Sequence, residues 1–457
     1  MSAIAGIFSY NKEAISSDSL DKMMQHLQKY PADSAGLWQG QGSYVSLLCH
    51  AQWVTPESVG ESMPVYDSDH KIAITADVII DNREELFERL HIGQAYRKRM
   101  TDAELLIRAY VKWGQDSPQY ILGDYAYVLW DENKGLLFGA RDLLGNRTLY
   151  YMEHQGRFAC CTVVQPLLDL PGYKTELNES WLAEFLAIPI ILDTVDAKAT
   201  VYKDIYLLPP AHTFTVSQGT LRVRQFGSLQ PCGSPLKLKS NMEYEEAFRE
   251  VFQQAVSSKL RTFRQVGASL SGGLDSGAVV SFASEPLRQA GKQLLAFSYI
   301  PPSDFVDWTS RRMMANETPY IQAIANHVGN IKTNYLDFPE RSSFDDVDDI
   351  LDLMEAPYKF IENSFWIKGI LEHAQKSDVG VLLNGSRGNY TISWGPAYDY
   401  YGQLLRKFKW NRLHNELKYY SRQHQVRRSR SLPIIAKLAF PFLSRFLSLL
   451  ANRISPG

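Results

Sequence analysis

The residues best suited to chemistry lie in one short run, SLSGGLDSG at 269–277. Gly272 and Gly273 are expected to let the backbone adopt positive φ and expose successive N–H groups. Ser271 and Ser276 add hydroxyls. A helix starting just after the glycines would aim its positive end at the loop, making an anion site suited to phosphate oxygens. Asp275 would repel a naked phosphate. It makes sense if it holds a Mg²⁺ ion bridging phosphate groups, so the run is expected to grip a metal-bound polyphosphate. The string G-x-x-x-x-G-K-[ST] is absent from the chain, and G-x-G-x-x-G is absent at this position. The alternative is a tight turn that happens to use two glycines.

Other reactive residue types are less organised. His50, His212 and His327 are scattered, with no i,i+4 pair and no H-E-x-x-H, and are read as packing or surface residues rather than metal ligands. The acids of SSFDDVDDILDLMEAP are read as a helix start at the positive dipole end rather than a cation site. Cys49, Cys160, Cys161 and Cys232 form no C-x-x-C pair and are expected to be reduced thiols of a cytoplasmic protein.

The elements that must position the loop follow from periodicity. AIAGIFSY, SYVSLLCHA, KIAITADVII, YAYVLWD, GLLFGARD and TLYYMEH are short apolar, β-branched or aromatic runs punctuated by Gly, Asn, Asp and Gln. Helical spacing appears in SDSLDKMMQHLQKY, with Ser17 or Asp18 as cap, and in TDAELLIRAYVKWG, with Gly114 just past its end. Together these predict a layered α+β domain with sheets packed face to face. GSLQPCGSPLKLKSN then reads as a connector. Beyond it, MEYEEAFREVFQQAVSSKLRTF is helical, and strand and helix alternate through GAVVSFASEPLRQAG, LLAFSYI, ETPYIQAIANHVG, NYLDF and VGVLLNGS, as in a doubly wound parallel sheet. The expected layout is one domain over 1–228, a linker at 229–240 and a second domain over 241–457.

At 457 residues the chain exceeds what one core usually supports. With 45% hydrophobic and 21% charged residues it is an ordinary globular composition, and the net charge of −2 identifies no partner. No stretch approaches the roughly 18 apolar residues of a membrane span, and the start has no basic lead typical of a secretory signal. From Phe408 to Arg453 ten Lys and Arg residues face one acid, Glu416. This is either a solvated helical face or a surface for an acidic partner or peptide. It contains no recognisable nucleic-acid module.

S-G-G-x-D-S resembles the pyrophosphate loop of the ATP pyrophosphatase family, and its surroundings resemble the asparagine-synthetase-like members over nearly the whole chain. AIAGIFSY is similar to their N-terminal strand. GDYAYVLWD and GARDLLGNRTLYY are similar to their G-x-F-A-F-x-x-W-D and A-R-D-x-x-G-x-x-P-L-Y-Y segments. YKDIYLLPPAHT resembles their inter-domain stretch, and NETPYIQAIANHVG their helix with an acidic residue, here Glu317. The resemblance implies an α+β N-terminal glutaminase-like αββα sandwich and an α/β C-terminal doubly wound adenylating domain that uses ATP and Mg²⁺. The C-terminal domain is short beside that of its relatives, and the lysine that faces the triphosphate there is assigned to none of Lys407, Lys409, Lys418 and Lys437. Nucleotide contacts are implied for Leu270, Ser271, Gly272, Gly273, Asp275, Ser276, Ser298 and Gly385. Matching Gly385 to the family's first glycine in VLLNGSRGNYTISWG puts Ser386 in place of the catalytic acid or tyrosine, and Asn389 in place of a metal-ligating aspartate. The implied catalytic set is Asp275, Ser386 and Asn389, and the implied metal ligands are Asp275 and Asn389. Arg387 is a candidate for pyrophosphate or the substrate carboxylate, and Glu355 and Tyr358 for substrate contact.

The family's glutaminase nucleophile is a cysteine at mature position one, where this chain has Ser2 after Met1. Its N-G-E oxyanion segment is replaced by Ala76, Asp77 and Val78, and a carboxylate beside a developing oxyanion has the wrong sign. The first domain is therefore expected to be a degenerate scaffold, with the amine carried by a substrate. Because G-x-x-G-N-x-T-I-S-W resembles the lasso-peptide macrolactam synthetases, the expected function is a lasso-peptide cyclase. It would adenylate an Asp or Glu side chain of a precursor peptide and join it to the peptide's N-terminal amine. The implied partners are the precursor peptide, a leader-binding protein and a leader peptidase, with no nucleic acid. The alternatives are an asparagine-forming or β-lactam-forming small-molecule ligase, and a catalytically inactive peptide-binding scaffold.

Overall fold

The computed structural model describes residues 2–190, 192–230, 233–309, 314–393, 396–424 and 426–441. Backbone proximity divides the chain into two compact units. One runs from the N-terminus to Gly272 and resumes over Val279–Leu383; the other comprises Gly273–Ala278 and the chain from Asn384 onward.

In the first unit, two six-stranded antiparallel sheets lie face to face. One is ordered Tyr206–Leu207, Tyr150–His154, Arg157–Cys161, Ala3–Ser9, Val45–Ala51, Ser34–Gln39. The other is ordered Thr220–Gln225, His212–Ser217, Leu136–Arg141, Gly123–Asp131, Ile72–Ile80, Val65–Asp67. The alternation of strand side chains sorts the core. From Ala3–Ser9, Ile4 and Phe8 enter the inter-sheet core, while Ala3, Ala5 and Ile7 face the helix Ser17–Leu27 through Leu20, Met23 and Leu27. Phe158 of one sheet meets Phe214 of the other with ring centroids 4.9 Å apart. The helix Asp102–Trp113 covers the second sheet, with Tyr110 against Phe138. The sandwich expected from sequence is thus present as helix, sheet, sheet, helix. The helix starts are locally encoded: Thr101 and Glu104 form a reciprocal capping box, and Gly114 ends the same helix at φ 59°. The first helix is capped by Ser16, one residue before the expected Ser17, because its side chain accepts from the Ser19 N–H.

Beyond the helix Asn241–Ser258, four parallel strands are ordered Ile331–Leu336, Leu294–Tyr299, Gln265–Ser269, Val379–Leu383. Leu294, Ala296 and Leu383 pack on one face with Val256, Val280 and Ile321 from three helices. Leu295, Tyr299 and Val379 pack on the other with Ile370 and Ala374 of the helix Ile361–Lys376. The sheet is covered on both sides, so the doubly wound domain is present. Its strand order reverses direction between Gln265–Ser269 and Val379–Leu383, and in open α/β sheets ligand sites form at the carboxyl ends flanking such a reversal.

The second unit contains the helices Ala397–Arg406, Trp410–His424 and Arg428–Ala439 around Tyr401, Leu404, Leu413, Leu417 and Ile435. Cys49, Cys160 and Cys161 are free and buried; Cys232 lies outside the described residues.

Candidate functional site

The strand Gln265–Ser269 leads through four residues into the 16-residue helix Leu274–Gln289. In the first unit, buried Leu270 donates its N–H to Phe297 O at 3.0 Å, which continues the parallel pairing past the strand end. Gly272 donates its N–H to Glu317 Oε2 at 3.0 Å, so the acidic residue before the helix Thr318–Val328 meets the loop directly. Gly272 does not use the left-handed backbone expected of it. A Cβ there would lie 2.9 Å from Tyr320 Cβ and 3.2 Å from Glu317 Cβ, so glycine is required for room. Ser298 closes its strand fully buried, and its hydroxyl has no hydrogen-bond partner.

In the second unit, half-buried Asp275 and buried Ser276 open the helix. A Cβ on Gly385 would sit 2.4 Å from Ser276 N, and one on Gly388 only 2.3 Å from Asp275 Cγ. The spacing of three places both glycines against the same turn, and both must be bare for Asp275 to sit where it does. Between them Arg387 is exposed and left-handed at φ 65°, a conformation that L-residues seldom adopt. Ser393 donates to Asp275 Oδ1 at 2.8 Å, and its Oγ lies 3.5 Å from Asn389 Oδ1. One hydroxyl therefore links the two predicted metal ligands. Exposed Ser386 donates its N–H to Asn384 Oδ1 at 3.0 Å, a local turn that leaves its hydroxyl toward solvent. Ser393 and Gly388 both fall in the G-x-x-G-N-x-T-I-S-W string, from which no role was drawn for either.

The fit to Mg²⁺–ATP can be judged from this geometry. Two glycines pack bare backbone against the turn and so fix where Asp275 sits. A long helix begins beside it, and one carboxylate and one amide oxygen share a hydroxyl. Mg²⁺ usually takes one or two carboxylates and completes its shell with phosphates and water. Among the described residues no group of three His, Cys, Asp or Glu is placed to bind a metal. Asp275 and Asn389 therefore fit an ion that arrives with its phosphates.

Glu355, a candidate for substrate contact, spends its carboxylate within the fold. Left-handed at φ 54°, it takes the N–H groups of Val164 and Gln165 on its carboxylate, clamping the sandwich to the parallel-sheet domain. Burial pushes its carboxyl upward. Arg261 ties the same domains together through Glu57 at 2.9 Å and Asp102 at 2.7 Å. Tyr358 is buried, with its hydroxyl unpartnered.

In the sandwich, Asp77 occupies the region of the expected glutaminase centre. Its Oδ1 accepts the Ser2 N–H at 3.0 Å and its Oδ2 lies 3.1 Å from Arg147 Nε. Ser2 Oγ accepts the Gln52 N–H at 3.1 Å. The remaining cavity, lined by Ser2, Trp53, Glu61, Asp77 and Arg147, is about 40 Å³, room for a few waters. Burial raises the Glu61 carboxyl to about 7, and its Oε1 has no partner.

Fold and site together define a two-sheet sandwich joined to a parallel α/β domain with a glycine-bearing loop between strand and helix. The glutamine amidotransferase domain family matches residues 1–227, and the asparagine synthase family matches residues 247–444. With this tandem pair the chain belongs to the asparagine-synthetase-like family. Asparagine synthetase [glutamine-hydrolyzing] 3 of Bacillus subtilis is 26% identical over 296 residues, 64% of this chain and 47% of the relative. A putative asparagine synthetase [glutamine-hydrolyzing] 2 of Methanocaldococcus jannaschii is 24% identical over 407 residues, 85% of this chain and 74% of the relative. The amidase chry2 of Gibberella zeae is 28% identical over 212 residues, 44% of this chain and 29% of that protein. The match thus spans about half of the Bacillus relative and under a third of the fungal one.

Gly388→Ala is expected to displace Asp275 and weaken Mg²⁺–ATP binding by at least about tenfold, a loss of roughly 1.4 kcal/mol, as titration calorimetry would read. Unchanged affinity in a folded variant would remove the glycine pair from the site. Glu61 binds its proton more tightly folded, at about 7, than at its ordinary 4.5, so its contribution to stability falls as pH rises through that window. Glu61→Gln should therefore flatten the fall in stability between pH 4.5 and 7 by up to about 3 kcal/mol at about 1.4 kcal/mol per unit, measured by denaturant titration.

Proposed function

We propose that the chain is an ATP-dependent carbon–nitrogen ligase of the asparagine-synthetase type, which activates a carboxylate and joins it to an amine it does not release from glutamine itself. The observation that carries the reading is Asp275 at the helix start, held against two obligatory glycines and bonded to Ser393. Bound Mg²⁺–ATP would supply an electrophilic α-phosphorus and a pyrophosphate leaving group. Asp275 and Asn389 would hold the metal, and Ser393 would fix both oxygens in one orientation. The hydroxyls of Ser271 and Ser276 and the backbone of Gly272, Gly273 and Gly385 would line the phosphates, with Leu270 and Ser298 on the nucleotide. A preset array of this kind avoids reorganisation as negative groups approach each other. Glu317 accepts the Gly272 N–H, which would turn to a phosphate oxygen on binding. Ser386 would meet the reacting carboxylate.

The Ser2–Asp77–Arg147 cluster supports an external source of amine. Asp77 places negative charge where an oxyanion would form, and about 40 Å³ leaves little room for a glutamine side chain. The relatives' names favour a small-molecule amide ligase. The second reading, a peptide macrolactam synthetase of the lasso type, draws support from the same cluster, since a precursor peptide would bring its own N-terminal amine. A leader-binding protein and leader peptidase would then be its partners.

Pyrophosphate exchange into ATP tests the proposal, with L-aspartate and, separately, a synthetic peptide carrying an internal Asp or Glu. Exchange should require one of these carboxylates, fall at least about a hundredfold in Asp275→Ala, and be accompanied by no glutamate release from glutamine. Exchange that ignores the carboxylate or survives Asp275→Ala would contradict the ligase assignment. Glutamine hydrolysis abolished by Ser2→Ala would contradict the external amine. The carboxylate that supports exchange decides between the two readings.

A further inference from the structure

We propose that the C-terminal helices form a docking surface for an anionic lipid bilayer. The cations of this region lie in sequence with almost no acids, whereas several elsewhere are held in ion pairs. Arg83, Arg261, Lys259 and Lys368 each pair with carboxylates. Among the described residues, none of Lys409, Arg412, Lys418, Arg422, Arg427, Arg428, Arg430 and Lys437 is in an ion pair, and Arg412 lies over the Tyr400 ring. From Leu417 to Gly457 the sequence carries eight Lys and Arg residues and no Asp or Glu.

Charge alone would suit any polyanion. The apolar groups set among these cations select the lipid surface. In Arg428–Ala439 only Ser431, Ile435 and Ala439 are buried, a stripe one residue wide at helical spacing. Ile434 and Leu438, 47% and 42% exposed, lie one turn apart and in line with Arg430, with Lys437 beside them. Phe408, Trp410 and Tyr419 are also exposed, at 71%, 57% and 67%. Aromatic and aliphatic side chains interleaved with Lys and Arg match the boundary between headgroups and acyl chains. No helix among the described residues is long and apolar enough to cross a membrane, so the attachment is interfacial. An acidic peptide or single-stranded nucleic acid would use the cations but leave the Ile434–Leu438 stripe uncovered.

The test is co-sedimentation of the full chain with phosphatidylcholine vesicles, with and without phosphatidylglycerol. Sedimentation should require phosphatidylglycerol and weaken with added salt. Arg430→Glu/Lys437→Glu and Ile434→Ser/Leu438→Ser should each weaken partitioning by about tenfold or more, with circular dichroism showing that both variants keep their helices. Absence of sedimentation would overturn the proposal. So would equal partitioning of the charge and apolar variants with the parent. Polyglutamate or single-stranded RNA retained by the chain when vesicles are not would assign the cations to that partner instead.

Discussion

The contact between bare backbone at Gly385 and Gly388 and the Asp275–Ser276 turn is the constraint on which the candidate site depends. A side chain at either glycine would overlap the turn, at 2.4 Å from Ser276 N or 2.3 Å from Asp275 Cγ. This contact sets the three-residue glycine spacing, and it accompanies the left-handed Arg387 between them. It also lets the chain reach Ser393, whose hydroxyl joins Asp275 to Asn389. A loop rich in glycine is usually adaptable; here the glycines make the turn tight.

The sandwich is held together by contacts that do not involve the Ser2 region. Its two sheets are held by inter-sheet packing such as Phe158 on Phe214, independent of what sits at Ser2. Asp77 is stabilised by Arg147 and the Ser2 N–H, so a carboxylate is tolerated where it would oppose an oxyanion. Glu355, Arg261 and Lys259 then fasten the sandwich to the parallel-sheet domain, through Val164, Asp102 and Asp124. These clamps hold the two domains of the first unit together.

Much of this was legible in the sequence, because strand alternation, capping residues and glycine-bounded loops are local signals. Half of the strands of the two sheets, the helix before Gly114 and the strand–loop–helix around Asp275 fall in that class. What was not legible depends on contacts between distant segments. Ser393 reaches Asp275 across more than a hundred residues, and Gly272 is glycine because Tyr320 and Glu317 crowd it, not because of its own backbone angles. Glu355 read as a substrate contact because its neighbours resemble an active-site stretch, and the fold spends both its oxygens on backbone N–H groups. The peptide specificity inferred from G-x-x-G-N-x-T-I-S-W has a different standing. The geometry accounts for the glycines of that string by packing alone.

The most direct test of the central claim follows a heavy-oxygen label placed in the substrate carboxylate, L-aspartate or a peptide Asp or Glu, during turnover with Mg²⁺–ATP. If the Asp275 turn serves carboxylate adenylation, one label atom appears in AMP for each amide formed. Label found in inorganic phosphate with ADP, or amide formed with none in AMP, would contradict the account.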